Sequence, residues 1–256
     1  MNGIFSIKNY VIIITGAGRG NGKAIAKGLS ENDAIVYRLD INFDKNENHN
    51  KNDRIHDIVC DITNIEKFKE ICQSIYNEHN KIDGLVNNAG VTFTKNDNEL
   101  YPENHWNKTI EVNLKAPFLC SQIVCEFMSQ NNSGSIVNIT SIAAELGFPN
   151  NPAYVASKGG LKMLTKAFAR DWGRKGIRFN NIGPGYMITE MTKKSYNNKI
   201  TKEQREKNII LKRWGKPDDL VGPCIFLLSE ASAYITGQDI YVDGGWTANG
   251  LLYIDD

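Results

Sequence analysis

Short apolar runs rich in Ile and Val alternate along the chain with longer stretches whose apolar residues recur at helical spacing. The runs predict strands over Tyr10–Thr15, Ala34–Leu39, Ile55–Cys60, Gly84–Asn88, Ser135–Ser141, Ile177–Ile182 and Asp239–Val242. Helices are predicted between them, over Gly22–Ser30, Ile65–Asn80, His105–Ser129, Ala153–Lys175 and Pro217–Leu228. This alternation argues for βαβ units and a parallel sheet. Runs so nearly all Ile and Val suit strands covered on both faces. The expected fold class is therefore α/β: one doubly wound domain over residues 1–256, with a seven-stranded parallel sheet and helices on both faces.

Two stretches break the rhythm. Residues 42–53 are rich in Asn, Lys and Asp, offer little to a core and read as a surface loop. Residues 189–216 are long, polar and charged, and follow a Pro-Gly turn. Such an excursion from a compact domain forms either an active-site lid or a plain surface helix.

Composition narrows the function classes. The chain has 256 residues and a formal net charge of +1. That length can bury a large core without disulfides or metals. The near-neutral balance gives no reason to expect nucleic acid or an acidic membrane surface as partner. The apolar run Val11–Ile14 is short, without the flanks of a secretory signal, and no run could span a bilayer. The five cysteines form no CxxC pair and stand mostly in apolar runs, so they read as buried thiols in a reducing, cytoplasmic setting. His49, His56, His79 and His105 show neither triad nor metal spacing and read as surface or element-end residues; no metal site is expected.

The first strand runs into Thr15-Gly16-Ala17-Gly18-Arg19-Gly20-Asn21-Gly22, and a helix follows. Glycines there let a pyrophosphate approach the main chain, where a helix N-terminus offers free N–H groups. Alone this is a weak signal; its place after the first strand strengthens it. At the end of the second strand stands Asp40, about twenty residues on, where an acid accepts from the adenosine ribose hydroxyls. A carboxylate would also repel a 2′-phosphate, which favours NAD over NADP. Arg19, in the turn, and Arg38, on the same strand face as Asp40, could each attract that phosphate or neutralise Asp40.

Tyr154 and Lys158 stand four apart in a helical stretch and so share a face. A phenol titrates near 10, and a neighbouring ammonium favours its ionised form, which suits proton exchange with a carbinol oxygen. Ser141 ends the fifth strand, and Asn87-Asn88-Ala89-Gly90 ends the fourth. Ligands of open α/β sheets bind at that rim.

Together the ordered motifs TGAGRGNG at 15–22, Asp61 in CDIT, NNAG at 87–90, Asn113 in EVNLKAPF, Ser141 in IVNITS, YVASK at 154–158, PGYMIT at 184–189 and YITGQDIYVDGG at 234–245 resemble the short-chain dehydrogenase/reductase family over nearly the whole chain. The resemblance implies a Rossmann-type fold, an NAD(P) cofactor and usually a homotetramer. It implies Tyr154 as acid/base, with Lys158 lowering its pKa and binding the nicotinamide ribose. Ser141 would polarise the substrate carbonyl, and Asn113 would hold a relay water. Gly16, Arg19, Gly20, Asn21, Gly22, Asp40, Asp61, Ile62, Asn88, Ala89, Gly90, Pro184, Gly185, Met187 and Thr189 would form the cofactor site. The family usually has Ile where this chain has Asn21, a side chain that could reach the diphosphate or a neighbour.

The stretches around GPGY, RWGKP and VDGGW resemble gluconate 5-dehydrogenase and deoxygluconate dehydrogenase. They imply a polyhydroxylated substrate, a sugar acid or amino-sugar type, in sugar or surface-glycan metabolism. Its pocket would be walled by Thr92, Phe93, Glu145, Leu146, Phe148, Tyr186 and residues 189–216. Lys193, Lys194, Arg205 and Arg213 are candidate partners for a carboxylate or phosphate, while Trp214 and Trp246 either stack on a sugar or are buried. Two alternatives stand: a 3-oxoacyl thioester reductase, and a catalytically silent dinucleotide-binding protein.

Overall fold

The structure, a computed structural model, describes residues 3–44, 54–96 and 99–249. In chain order it contains β1 (Val11–Thr15), α1 (Gly20–Glu31), β2 (Ile35–Asp40), β3 (Ile55–Val59), α2 (Ile65–His79), β4 (Gly84–Asn87), α3 (Glu103–Ile110), α4 (Ala116–Asn131), β5 (Gly134–Ile139), α5 (Pro152–Trp172), β6 (Ile177–Pro184), α6 (Lys193–Asn197), α7 (Lys199–Asn208), α8 (Val221–Leu228) and β7 (Asp239–Val242). The expected loop at 42–53 lies outside the described residues beyond residue 44, and His49 with it.

All five residues of β1 are buried, and the two-residue period of the strand sends their side chains into two layers. Val11 and Ile13 join Phe68, Cys72, Cys120, Val124 and Phe168, beneath α2, α4 and α5. Ile12 and Ile14 join Ile25, Leu29, Cys224 and Leu227, beneath α1 and α8. The seven strands run in the order β3-β2-β1-β4-β5-β6-β7, every neighbouring pair parallel. Chain order reverses beside β1, so the crevice where an open sheet takes a ligand opens between the ends of β1 and β4. All five cysteines are buried free thiols. Among the described residues no helix is long and apolar enough to cross a membrane.

The expected helix His105–Ser129 is interrupted. Residues Glu111–Lys115 form a π-helical turn between α3 and α4, closed by the Ala116 N–H on the Glu111 carbonyl. The cause is legible in Pro117, which has no N–H for the Asn113 carbonyl four residues back and would collide with it in a regular helix. The expected helix Pro217–Leu228 likewise opens with a 3₁₀ turn, Pro217–Leu220, before α8.

A buried polar chain ties α5 to the sheet. Asn87 donates to Asn138 (2.8 Å), Asn138 to Thr165 on α5 (2.7 Å), Thr165 to Asn181 (2.6 Å), and Asn181 to Asp239 (2.7 Å). The Asn87 Oδ1 is buried without a partner, and the rest of the network holds the helix in register on the strands.

The histidines depart from a purely surface role. His56 lies within β3, stacked on Tyr37 at 4.7 Å, and His79 hydrogen-bonds the Tyr37 hydroxyl at 2.8 Å.

Candidate active site

The turn from β1 to α1 is built on glycines that carry left-handed backbone. Gly16 has φ 64° and Gly20 φ 56°. A Cβ on Gly16 would lie 2.6 Å from the Ala89 Cα, and one on Gly22 would lie 2.4 Å from the Asn88 Nδ2. The turn is therefore pressed against the end of β4. Asn88 donates its side-chain amide to the Thr15 and Gly16 carbonyls (3.0 and 2.8 Å), and Thr15 Oγ1 accepts from the Asn88 and Ala89 N–H groups (3.1 and 3.2 Å). Thr15 is a structural residue of this site that the motif reading passed over; its signal is a hydroxyl set directly before the first glycine. Gly18 is a second one. Its N–H donates to Asp40 Oδ2 at 2.8 Å, and a Cβ there would strike the Asn42 carbonyl at 2.4 Å.

Asp40 thus faces the glycine turn, as the adenosine ribose reading requires. Arg38 does not share that role. It is buried and makes a bidentate pair with Asp57, its direct neighbour on β3, at 2.6 and 2.7 Å. This corrects the expectation that Arg38 attracts a 2′-phosphate or neutralises Asp40: a guanidinium in a fork–fork pair is spent. Arg19, exposed at the N-cap of α1, keeps its candidacy. Asp61 accepts from the Thr63 N–H and hydroxyl (2.9 and 2.8 Å), which hold its carboxyl below the usual range. Ile62 packs in the core, so its side chain is not an adenine contact and only its main chain remains available.

These residues fit a dinucleotide. At Gly16, Gly18 and Gly22 the cradle has no room for a side chain, and Asn21 Oδ1 is buried without a partner. An orphaned acceptor of that kind calls for a donor. No neighbour supplies one among the described residues, whereas a carboxamide or ribose hydroxyl would.

Ser141 caps the 3₁₀ turn Ile142–Ala144, its hydroxyl accepting from the Ala143 N–H at 3.1 Å. Tyr154 lies in the first turn of α5, and Lys158 one turn later. The two converge as the helix period requires, with Lys158 Nζ 5.7 Å from the Tyr154 ring centroid. Lys158 is buried and donates to the Ile139 carbonyl at the end of β5, at 2.7 Å. Burial lowers its pKa to about 8. Burial also raises the Tyr154 phenol above its ordinary 10, and the Ser141 hydroxyl, hydrogen-bonding it, works the other way. Desolvation outweighs the Ser141 bond, so in the protein alone the phenol is raised rather than depressed as the sequence reading expected.

Asn113 Oδ1 accepts from the Val91 N–H (2.8 Å), and its Nδ2 donates to the Val91 carbonyl and to Ser157 Oγ (2.8 and 3.2 Å). Both side-chain donors are used. Its main-chain carbonyl faces Pro117, which has no N–H to give it. A Cβ on Gly90 would come within 3.4 Å of Asn113 Oδ1 and 3.7 Å of Lys158 Nζ, so the bare glycine opens the space these two groups share.

Beyond β6, the Gly185 N–H bonds the Val242 carbonyl (3.0 Å), and the Thr189 N–H donates to Thr192 Oγ1 (3.0 Å). Pro184 ends the strand. The Met187 side chain is buried in the core, and Thr189 lies 3.7 Å from the Cβ position of Gly20, which closes the ring of cofactor candidates. Tyr186 meets Phe148, Trp214 and Trp246 at 6.3, 5.3 and 4.9 Å. Trp214 is a core residue, 2% exposed, rather than an open stacking platform. Thr92 accepts from Asn151 Nδ2 at 2.6 Å. Glu145 is a strut and not a free pocket acceptor: Oε1 is bound by Lys162 of α5 and by the Tyr241 hydroxyl of β7, the latter at 2.6 Å. Residues 189–216 contain the two helices α6 and α7.

The family described as Enoyl-(Acyl carrier protein) reductase matches residues 16–247. The chain is 36% identical to the NAD-dependent glycerol dehydrogenase of Listeria innocua over 245 residues, 95% of this chain and 96% of that one. It is 35% identical to the 5-keto-D-gluconate 5-reductase of Escherichia coli over 254 residues, 96% of this chain and 98% of that one. A solved gluconate 5-dehydrogenase of Burkholderia cenocepacia, in complex with NADP and tartrate, superposes with a TM-score of 0.86 at 32% identity, covering 96% of this chain and 98% of its own. With the ordered motifs, the seven-stranded sheet and matches spanning almost every residue, the chain belongs to the short-chain dehydrogenase/reductase family of oxidoreductases.

Proposed function

We propose that the protein transfers hydride between NAD and a secondary carbinol of a polyhydroxylated substrate, a sugar acid first among them, with residues 189–216 as its lid. One observation carries the reading: Ser141, Tyr154 and Lys158 meet at the strand-end rim that the glycine cradle faces. A bound nicotinamide would take or give the hydride. Tyr154 takes the carbinol proton as the carbonyl forms, and returns it in the reverse direction. Ser141 donates to the same oxygen and stabilises the charge developing there. Lys158, with the main-chain carbonyl of Asn113 holding a water, passes the proton towards solvent. Gly16, Gly18, Gly20, Asn21 and Gly22 seat the diphosphate side, and Asn88, Ala89, Gly90, Pro184, Gly185, Met187 and Thr189 wall the ring.

The pH dependence follows from the Tyr154 phenol. Its pKa is raised by burial, so the phenolate needed for oxidation is scarce at neutral pH and grows with alkalinity. Oxidation should climb from about pH 7 to about pH 10, while reduction, which uses the phenol, should hold and then fall. Initial rates in both directions check this; oxidation that declines over that range would remove Tyr154 as the base.

Asp40 supports NAD, as does the NAD-dependent glycerol dehydrogenase relative, while the solved relative carries NADP. Replacing Asp40 by Ser removes a like charge from the 2′-phosphate position and should shift the NADP-to-NAD ratio of kcat/KM upwards by roughly 10- to 100-fold. An unchanged ratio would take Asp40 out of cofactor choice.

The acyl-thioester alternative wants NADP, which Asp40 opposes, and a silent binder has no use for an intact Ser141, Tyr154 and Lys158. A homotetramer in the cytoplasm belongs to the same proposal: five free cysteines and the wholly exposed Tyr234, beside the half-buried Ile235 and Ile240, support it. Screening sugar acids, amino sugars, polyols and acyl thioesters with NAD and NADP, by absorbance of the reduced cofactor, tests the function. Turnover of a sugar acid supports it; turnover confined to acyl thioesters, or cofactor binding without any turnover, refutes it.

A further inference from the structure

Four of the cations in residues 189–216 have acid partners. Lys193 pairs with Glu190, Lys199 with Glu203, Lys202 with Glu206, and Arg213 makes a two-pronged bond with Asp219. Arg205, on α7, makes no ion pair among the described residues. Its guanidinium lies 4.1 Å from the Tyr186 ring centroid and 5.3 Å from that of Trp214. A guanidinium has five N–H donors, so stacking on the rings and one hydrogen bond to the Tyr186 hydroxyl still leave donors for a carboxylate. In the same cluster the Trp214 indole N–H is buried without an acceptor. Two donors, one charged, thus stand beside Tyr186 with no carboxylate between them. Tyr186 follows the end of β6, the strand paired with β5, and packs against Phe148 in the segment that leads from Ser141, so the cluster stands at the same strand-end rim.

We infer that Arg205 is the seat of a substrate carboxylate and selects sugar acids over neutral polyols. The planar fork matches a carboxylate two bonds at a time, and the aromatic wall excludes the water that would weaken them. The hydroxylated carbon chain of a sugar acid can then carry a distant secondary alcohol to Ser141 and Tyr154. This inference rests on the reaction proposed above and divides the substrate class that the relatives leave mixed, gluconate derivatives on one side and glycerol on the other.

The test compares a six-carbon aldonate with the alditol of the same length, in the wild type, Arg205→Met and Arg205→Lys. The wild type should prefer the aldonate. In Arg205→Met the aldonate-to-alditol ratio of kcat/KM should fall ~10- to 100-fold, mostly through KM, as when a hydrogen-bonded charge loses its partner. Arg205→Lys should fall in between, since it keeps the charge and loses the fork. NADH binding by fluorescence reports whether each variant is folded, and the Lys variant decides should the Met variant fail. Equal losses for both substrates, or a wild type that prefers the alditol, would overturn the carboxylate seat and leave the reaction standing. A wild type that turns over neither would refute both.

Discussion

Replacing Tyr154 by Phe should lower turnover by about 10³-fold, the range that general acid–base catalysis contributes, while NADH still binds. The substitution removes one oxygen from a ring that stays buried in the first turn of α5, so the helix and the polar chain below it should persist. The lost oxygen is the one that bonds Ser141 and, in the proposed reaction, exchanges the proton with the substrate. The loss should therefore appear in kcat and kcat/KM together, the mark of an interaction made in the transition state. Stopped-flow binding of NADH and steady-state turnover separate the two effects. Retained turnover would mean that another group carries the proton.

Gly16→Ala should be the most damaging single change in the cradle. At φ 64° any side chain is strained by roughly 1–2 kcal/mol. The added methyl would also sit 2.6 Å from the Ala89 Cα, a backbone atom that cannot swing aside. Relief requires the glycine turn and the end of β4 to part, which breaks the Asn88 bonds to the Thr15 and Gly16 carbonyls. Two surfaces of the expected dinucleotide site then move at once. The Kd for NADH should rise at least about 30-fold, the effect of some 2 kcal/mol, with a clear fall in Tm. Titration by NADH fluorescence and a thermal melt check this. Near-normal affinity would show that the turn is not a nucleotide cradle.

Much of the fold is legible because the signals are local. β1 is a pure Ile/Val run, and β7 falls at Asp239–Val242 as the pattern predicts. The β2 and β5 ends shift by one or two residues, since hydrogen bonding rather than hydropathy decides where a ladder stops. The π turn at Glu111–Lys115 escapes the apolar periodicity, which an i→i+5 turn disturbs only slightly, although Pro117 marks it in retrospect. Arg38 shows the opposite case. Strand alternation rightly sets it on the face of Asp40, but its partner Asp57 comes from β3, and nothing in one strand names the residue opposite on another. Glu145 is similar: Lys162 and Tyr241 reach it from two distant elements. The candidate catalytic group is legible from a four-residue helical spacing and a strand end, while the rise of the Tyr154 pKa on burial is not, because desolvation is a property of the packed molecule. Arg205 stands out only once the Tyr186 and Trp214 rings are seen beside its guanidinium, a contact that no spacing in the sequence marks.

The most direct measurement is the fate of the carbinol hydrogen. An aldonate bearing deuterium on its secondary carbinol carbons, mixed with NAD and the wild-type protein, should deliver deuterium to the reduced nicotinamide, read by mass spectrometry, and Tyr154→Phe should deliver almost none. Unlabelled reduced cofactor from the wild type, or equal labelling by both proteins, would contradict hydride transfer at a phenol-assisted carbinol centre.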